Sequence, residues 1–156
     1  MAAVPQPLQT HEAVKPWAWA DTWPVAKLTI QNRQLYVLSG ASGRNLAFGP
    51  AHLPQTSLPG QPGNVAIAGH RDTHFDILRE LEKGDLLHLQ GVQQQKSYRV
   101  TSMRIVHESQ VEVLSPNGQD EITLITCYPF DSVDPNTPLR YVVQGRPADY
   151  KVQVRL

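Results

Sequence analysis

The sequence predicts an all-β domain in which about eight short strands close into a barrel or pack as a sandwich. Two observations carry this. Short apolar runs, alternating or continuous, recur between clusters of Gly, Pro and Asn, and little helical periodicity separates them. Closure into a barrel would also remove exposed sheet edges.

The bulk numbers agree with a single domain. A chain of 156 residues can bury a core without disulfide or metal staples. Lys+Arg and Asp+Glu balance at 14 each, so no net charge recruits nucleic acid or an acidic membrane. With 40% apolar residues the chain is not generally disordered. One cysteine excludes an intramolecular disulfide and leaves the redox compartment open. No stretch reaches the roughly 18–20 apolar residues of a membrane-spanning helix, and Met1 to Thr10 lacks a signal-peptide layout. The chain is either soluble or trimmed of an anchor.

Residues 1–24 form an N-terminal arm in this reading. Pro5, Pro7 and Pro16 make its start irregular, while Trp17, Trp19 and Trp23, all three tryptophans of the chain, suggest a segment that packs down. The domain proper is 25–156. Ala26–Ile30 and Gln34–Leu38 alternate around a polar Gln31-Asn32-Arg33 turn and read as a hairpin, ended by Gly and Ser at 39–43. Residues 49–63, with Pro50, Pro54, Pro59 and Pro62, read as a loop with at most one helical turn. Asn64–Gly69 is an apolar run of strand length.

Phe75, Leu78 and Leu81 suit one short helix with Asp72 or Thr73 as N-cap. Lys83-Gly84-Asp85 closes it. Further strands are expected at Leu86–Leu89, Ser97–Glu108, Val111–Leu114, Glu121–Cys127, Arg140–Gly145 and Lys151–Arg155, with Gln93–Gln95 as a hairpin tip.

Among these elements Cys127 stands out by position. It ends an apolar strand directly before Tyr128-Pro129, where proline stops the ladder. A lone cysteine is commonly a small buried hydrophobe, but a strand end can hold and expose it. Reactivity further requires a positive neighbour that favours the thiolate. His70 has the matching context, since it follows a buried strand and Gly69. His70 and His74 are four apart, a metal-site spacing on a helix, yet no third ligand follows a recognisable pattern, and no metal is expected. Arg140 opens a strand and could stabilise an oxyanion; nothing local selects it over Arg71, Arg99, Arg104 or Arg146.

Three segments together resemble the sortase family. Thr123-Leu124-Ile125-Thr126-Cys127 matches its Thr-Leu-x-Thr-Cys signature, and Asn64 to Thr73 contains its Gly-His-Arg-x-Thr segment. Arg140 follows after the loop holding Asp134-Pro135-Asn136, and Lys83-Gly84-Asp85 before a strand is also typical. The likeness covers roughly residues 25–146. It implies a closed eight-stranded sortase-type β-barrel with one or two short helices. It also implies a cysteine transpeptidase acting on a Leu-Pro-x-Thr-like sorting-signal peptide of a secreted protein, through a thioacyl-enzyme.

In that scheme Cys127 is the nucleophile, His70 the acid and base, and Arg140 the oxyanion stabiliser. Tyr128 would lend a backbone N–H, while Thr126 and Ala68 would contact the peptide; Thr126 could equally be a plain strand residue. The implied partners are an envelope amine acceptor and the sorting peptide. The implied setting is the extracytoplasmic face of the cytoplasmic membrane, with a monomeric, membrane-anchored protein whose arm is a linker remnant. No cofactor is implied. Some sortases use calcium, but Glu80, Glu82 and Asp85 read more simply as a solvated helix end. The Trp-rich arm and the lack of an Asp-Pro-aromatic lid motif resemble the housekeeping or Gram-negative-type branch more than the pilin type. Two rivals remain at this stage: a peptidase that only hydrolyses the intermediate, and a non-enzymatic binding module with Cys127 buried.

Overall fold

A computed structural model describes residues 24–148, apart from 41–45, 47, 111–113, 115–117, 133 and 135. Eight strands form a closed barrel, so the barrel rather than the sandwich is the architecture. They are β1 (Pro24–Ile30), β2 (Arg33–Ser39), β3 (Ala51–His52), β4 (Asn64–Ala68), β5 (Leu86–Gln90), β6 (Gln95–His107), β7 (Glu121–Tyr128) and β8 (Leu139–Pro147). Around the barrel they run β1-β2-β3-β4-β7-β8-β6-β5, and β5 pairs with β1 to close it. The pairs β2–β3 and β4–β7 are parallel; the rest are antiparallel.

The expected hairpin is β1–β2, with a tighter turn than anticipated. Arg33 already pairs with Ile30, which leaves Gln31 and Asn32 as the turn, Gln31 at φ 54. That left-handed φ matches the sharp reversal of a two-residue hairpin loop. Strand β3 was not anticipated. Two residues are too few for any periodicity, yet Ala51–His52 pair with both β2 and β4 and so bridge the wall. Of the expected strand 111–114 only Leu114 is described, and it belongs to no strand. The expected strand 151–155, the tryptophan segment and positions 41–43 lie outside the described residues.

The short helix expected around Phe75, Leu78 and Leu81 is a 3₁₀ turn, Asp76–Glu80. The three-residue spacing of Phe75, Leu78 and Leu81 is the 3₁₀ period itself, and all three are buried. Its N-cap is Phe75 with no side-chain cap bond, not Asp72 or Thr73. The reason is backbone accounting: the N–H groups of Thr73 and Phe75 already return to the His70 carbonyl, at 3.5 and 2.9 Å. After this turn Asp85 accepts from the Glu82 N–H at 2.9 Å, so its carboxylate closes the turn into β5. Gly84 enters that turn at φ 96, a conformation that favours glycine. Among the described residues no group of three or more His, Cys, Asp or Glu is placed to hold a metal.

Alternation along each strand sends one set of side chains inward. Leu28, Ile30, Val37, Ile67, Leu124 and Val143 belong to the core, with the rings of Phe75 and Tyr98 fully buried among them. Outside this core, His52 is also buried, at 4% exposure. Its Nε2 lies 2.7 Å from the Ser57 carbonyl, which can only accept, so Nε2 carries the proton.

Burial pushes the His52 pKa below the ordinary histidine value, against the opposing pull of its hydrogen bonds to Ser57 and Thr56. His74 is lowered as well, first by burial and then by nearby His70 and Arg33. On acidification the unfolded chain therefore takes up protons near ~6.5 before the folded one does. Stability is expected to be full above that value and to fall as pH drops through it toward the lower folded values. Urea unfolding across this range should show the decline, and His52→Gln should make it shallower.

Candidate active site

Strand β7 sets the geometry. Its inward side chains, Ile122 and Leu124, join the core, so Thr123, Ile125 and Cys127 point outward. Register then brings outward partners together. Cys127 pairs with Arg140 on β8, and Arg140 pairs with Val106 on β6. Directly opposed residues of an antiparallel pair stand with Cβ atoms roughly 4.5–5.5 Å apart. The half-buried thiol therefore faces the base of the Arg140 side chain.

Strand β4 runs parallel to β7 on its other side, with Ala68 opposite Ile125. Two further steps carry His70 to the level of Cys127. The chain is held there at Gly69, whose N–H donates to the Ile125 carbonyl at 3.1 Å. In return the Thr126 hydroxyl donates to the Gly69 carbonyl at 2.7 Å. Gly69 has a steric reason as well: a Cβ there would meet the Phe75 ring at 2.7 Å. His70 itself is exposed.

Arg71 fastens the next layer. One terminal nitrogen donates to the carbonyls of Ser132 and Asp134, each at 2.8 Å. It thereby ties the β7–β8 loop to the histidine-bearing turn. Among the described residues its other terminal nitrogen is buried without a partner, as is Nδ1 of His74. Residues 71–75 form turns, so His70 and His74 do not present the helical i, i+4 face that a metal pair would use.

Arg140 is held by three acceptors. Nη1 donates to the carbonyls of Thr137 at 2.8 Å and Leu139 at 2.9 Å. Nη2 donates to Glu108 Oε1 at 3.1 Å. Beside it lies a groove of about 190 Å³ whose apolar lining includes Leu53, Val106, Ile125 and Val142, with His107, Glu108, Gln110 and Arg140 around it. Past Ile125 and Val142, a hydrogen-bonded row crosses the wall. Thr123 donates to Asn64 at 2.8 Å, Gln144 to Thr123 at 3.2 Å, and Arg104 to Gln144 at 2.9 Å.

The residues singled out in the sequence thus converge on one end of the barrel. Cys127 and Arg140 are paired, and His70 adjoins them by register. Ala68 flanks Ile125 on the outer face. Thr126 is 2% exposed and its hydroxyl proton is committed to Gly69, which gives it a holding role in the strand. The Tyr128 carbonyl accepts from the Thr137 hydroxyl, and its ring stacks on Tyr141 at 6.0 Å. Sequence reasoning missed the groove and the parts played by Arg71 and Glu108. A signal for the groove existed: Ile125 and Val142 are apolar on the parity opposite to the core, as expected where both sheet faces are covered.

A sortase-domain family model matches residues 28–148. The chain is 33% identical to sortase D of Bacillus subtilis (strain 168) over 116 residues, 74% of this chain and 58% of that protein. It is 37% identical to sortase A of Bacillus anthracis over 116 residues, 72% of this chain and 53% of that protein. It spans only somewhat over half the length of these curated relatives. Among solved structures, sortase A from Corynebacterium diphtheriae superposes with a TM-score of 0.74 at 26% identity, covering 84% of this chain and 63% of that one. Sortase C-1 from Actinomyces oris gives 0.72 at 31% identity, covering 80% and 74%.

The Thr126–Gly69 bond yields a direct test. Thr126→Val keeps the shape but leaves the buried Gly69 carbonyl without its donor, a loss of about 1–3 kcal/mol. Thr126→Ser keeps the hydroxyl and should lose less. Urea denaturation of the two variants should rank them in that order.

Proposed function

The chain belongs to the sortase family, and from that premise we propose that it is the catalytic domain of a cysteine transpeptidase that processes sorting signals. The observation that supports this most is the register pair Cys127–Arg140 with the Gly69-His70 turn fastened beside it.

In this mechanism the Cys127 thiolate attacks the carbonyl carbon of the threonine in a Leu-Pro-x-Thr-like peptide. The carbonyl electrons move onto oxygen, and the Arg140 guanidinium stabilises that oxyanion, with the Tyr128 N–H as second donor. The tetrahedral centre collapses, the C–N bond after threonine breaks, and the departing amine takes a proton from the His70 imidazolium. A thioester on Cys127 remains. An incoming amine then attacks the thioester carbonyl and gives its proton to neutral His70. Collapse expels the thiolate and leaves a new amide. One hard amide exchange becomes two easier steps.

The groove suits the unreacted part of such a peptide. Ile125 and Val142 are one strand step of two residues from Cys127 and Arg140, and with Leu53 they offer an apolar surface to the leucine and proline. Ala68 borders the same surface. Hydrolysis alone would use the same residues with water in place of the amine. The acceptor is an envelope amine, and the domain works on the extracytoplasmic face of the cytoplasmic membrane, held there by an anchor. The described residues include no helix long and apolar enough to cross a membrane.

Incubation with Leu-Pro-x-Thr-Gly peptides, with and without a free amine, tests this by product mass. The amine-linked product should dominate when the amine is present; only hydrolysed peptide in both cases would favour the peptidase reading. Cys127→Ala should abolish turnover. Arg140→Ala should lower kcat/KM about 10²–10³-fold, the range for removing an oxyanion donor. A folded Arg140→Ala with unchanged kcat/KM would remove that residue from the mechanism.

A further inference from the structure

Among the described residues Glu108 is the acidic side chain on Arg140, and its backbone is fastened more than an ordinary surface pair requires. It follows the last residue of β6, where His107 pairs with Leu139, and its own N–H donates to the Pro138 carbonyl at 2.7 Å. The backbone of Glu108 is thus fastened to the stretch that leads into Arg140. The turn 107–110 is closed by four further bonds. The Gln110 N–H donates to the His107 carbonyl at 2.9 Å, and the His107 N–H donates to Gln110 Oε1 at 2.7 Å. The His107 ring nitrogen Nδ1 meets the Ser109 hydroxyl at 2.8 Å and accepts from the Ser109 N–H at 3.1 Å. Glu108 therefore projects from an ordered turn into the groove that Arg140 also lines.

The donor accounting gives this placement a purpose. A guanidinium has five N–H donors. Nη1 spends two on Thr137 and Leu139, and Nη2 spends one on Glu108. Among the described residues the other two donors meet no acceptor, and they are available to a ligand in the groove. The carbonyls of Thr137 and Leu139 hold only one terminal nitrogen, whereas Glu108 holds the other and fixes the plane of the fork. An arginine side chain carries large rotamer freedom, and oxyanion stabilisation depends on a donor fixed before the charge develops.

We infer that Glu108 is a positioning residue that holds the Arg140 guanidinium in its working orientation at the groove; this rests on the transpeptidase reading above. The bond competes with a generic surface ion pair as an explanation, since Glu108 is 51% exposed and Arg140 27%. A generic pair of that exposure adds little stability and has no effect on turnover. The positioning role predicts an effect on kcat with the melting temperature unchanged.

The experiment compares wild type, Glu108→Ala and Glu108→Gln in two readouts. The first is kcat and KM on a Leu-Pro-x-Thr-Gly peptide. Glu108→Ala should lose about tenfold in kcat with KM changed less than about twofold, and Glu108→Gln, which keeps a carbonyl acceptor, should recover most of it. The second is the NMR signal of the Arg140 Nε–H, identified by its disappearance in Arg140→Lys. Its exchange with water should quicken several-fold in Glu108→Ala and stay near wild type in Glu108→Gln. An unchanged kcat or an unchanged Arg140 signal in Glu108→Ala overturns the inference. If no variant processes the peptide, the transpeptidase reading fails, and the Arg140 signal alone still decides whether Glu108 holds the guanidinium.

Discussion

The site depends on the junction at Gly69. This residue donates its N–H to Ile125, accepts from the Thr126 hydroxyl, and leaves room for the Phe75 ring that a Cβ would strike. The first two contacts lock the end of β4 to the end of β7. The third seats the following turn on the core. His70 and Cys127 come from segments far apart in the chain, and parallel neighbours have no hairpin to align them. The β4–β7 ladder ends at Ala68–Ile125, and the junction carries the alignment on from there to the level of His70 and the thiol.

The barrel wall then serves two surfaces at once. Inward residues of β7 and β8 fill the core, and outward residues form successive rows. Cys127 and Arg140 make the charged end, Ile125 and Val142 the apolar middle, and Thr123 and Gln144 the polar far end. Because each row is fixed by register, a slip of one residue would turn every one of these side chains to the other face. The chemistry is therefore protected by the same alternation that builds the core. Arg71 and Glu108 add the remaining constraints from outside the wall, one on the β7–β8 loop and one on Arg140.

Much of this was legible in the sequence, for identifiable reasons. Strands β1, β2, β4, β5, β6, β7 and β8 are long enough for period or apolar continuity to appear. Proline after Tyr128 marked the end of β7 to within a residue. Strand β3 was invisible because two residues have no period, and the side-chain cap expected at Asp72 or Thr73 failed because backbone donors were already satisfied. Residue spacing put Cys127 and His70 at strand ends, but it could not single out Arg140. That selection came from resemblance, and only the β7–β8 register gave it a physical basis. The parts played by Glu108 and Arg71 escaped notice since their partners depend on where loops fold back, which no local pattern encodes.

The central claim is that Cys127 is the residue that carries the acyl group. The most direct measurement mixes the protein with a Leu-Pro-x-Thr-Gly peptide, quenches with acid before an acceptor is added, and locates the adduct by intact mass and fragmentation. The account predicts a Leu-Pro-x-Thr acyl group on Cys127, removed when an amine is supplied before the quench. An acyl group on any other residue, or turnover that proceeds in Cys127→Ala, would contradict it.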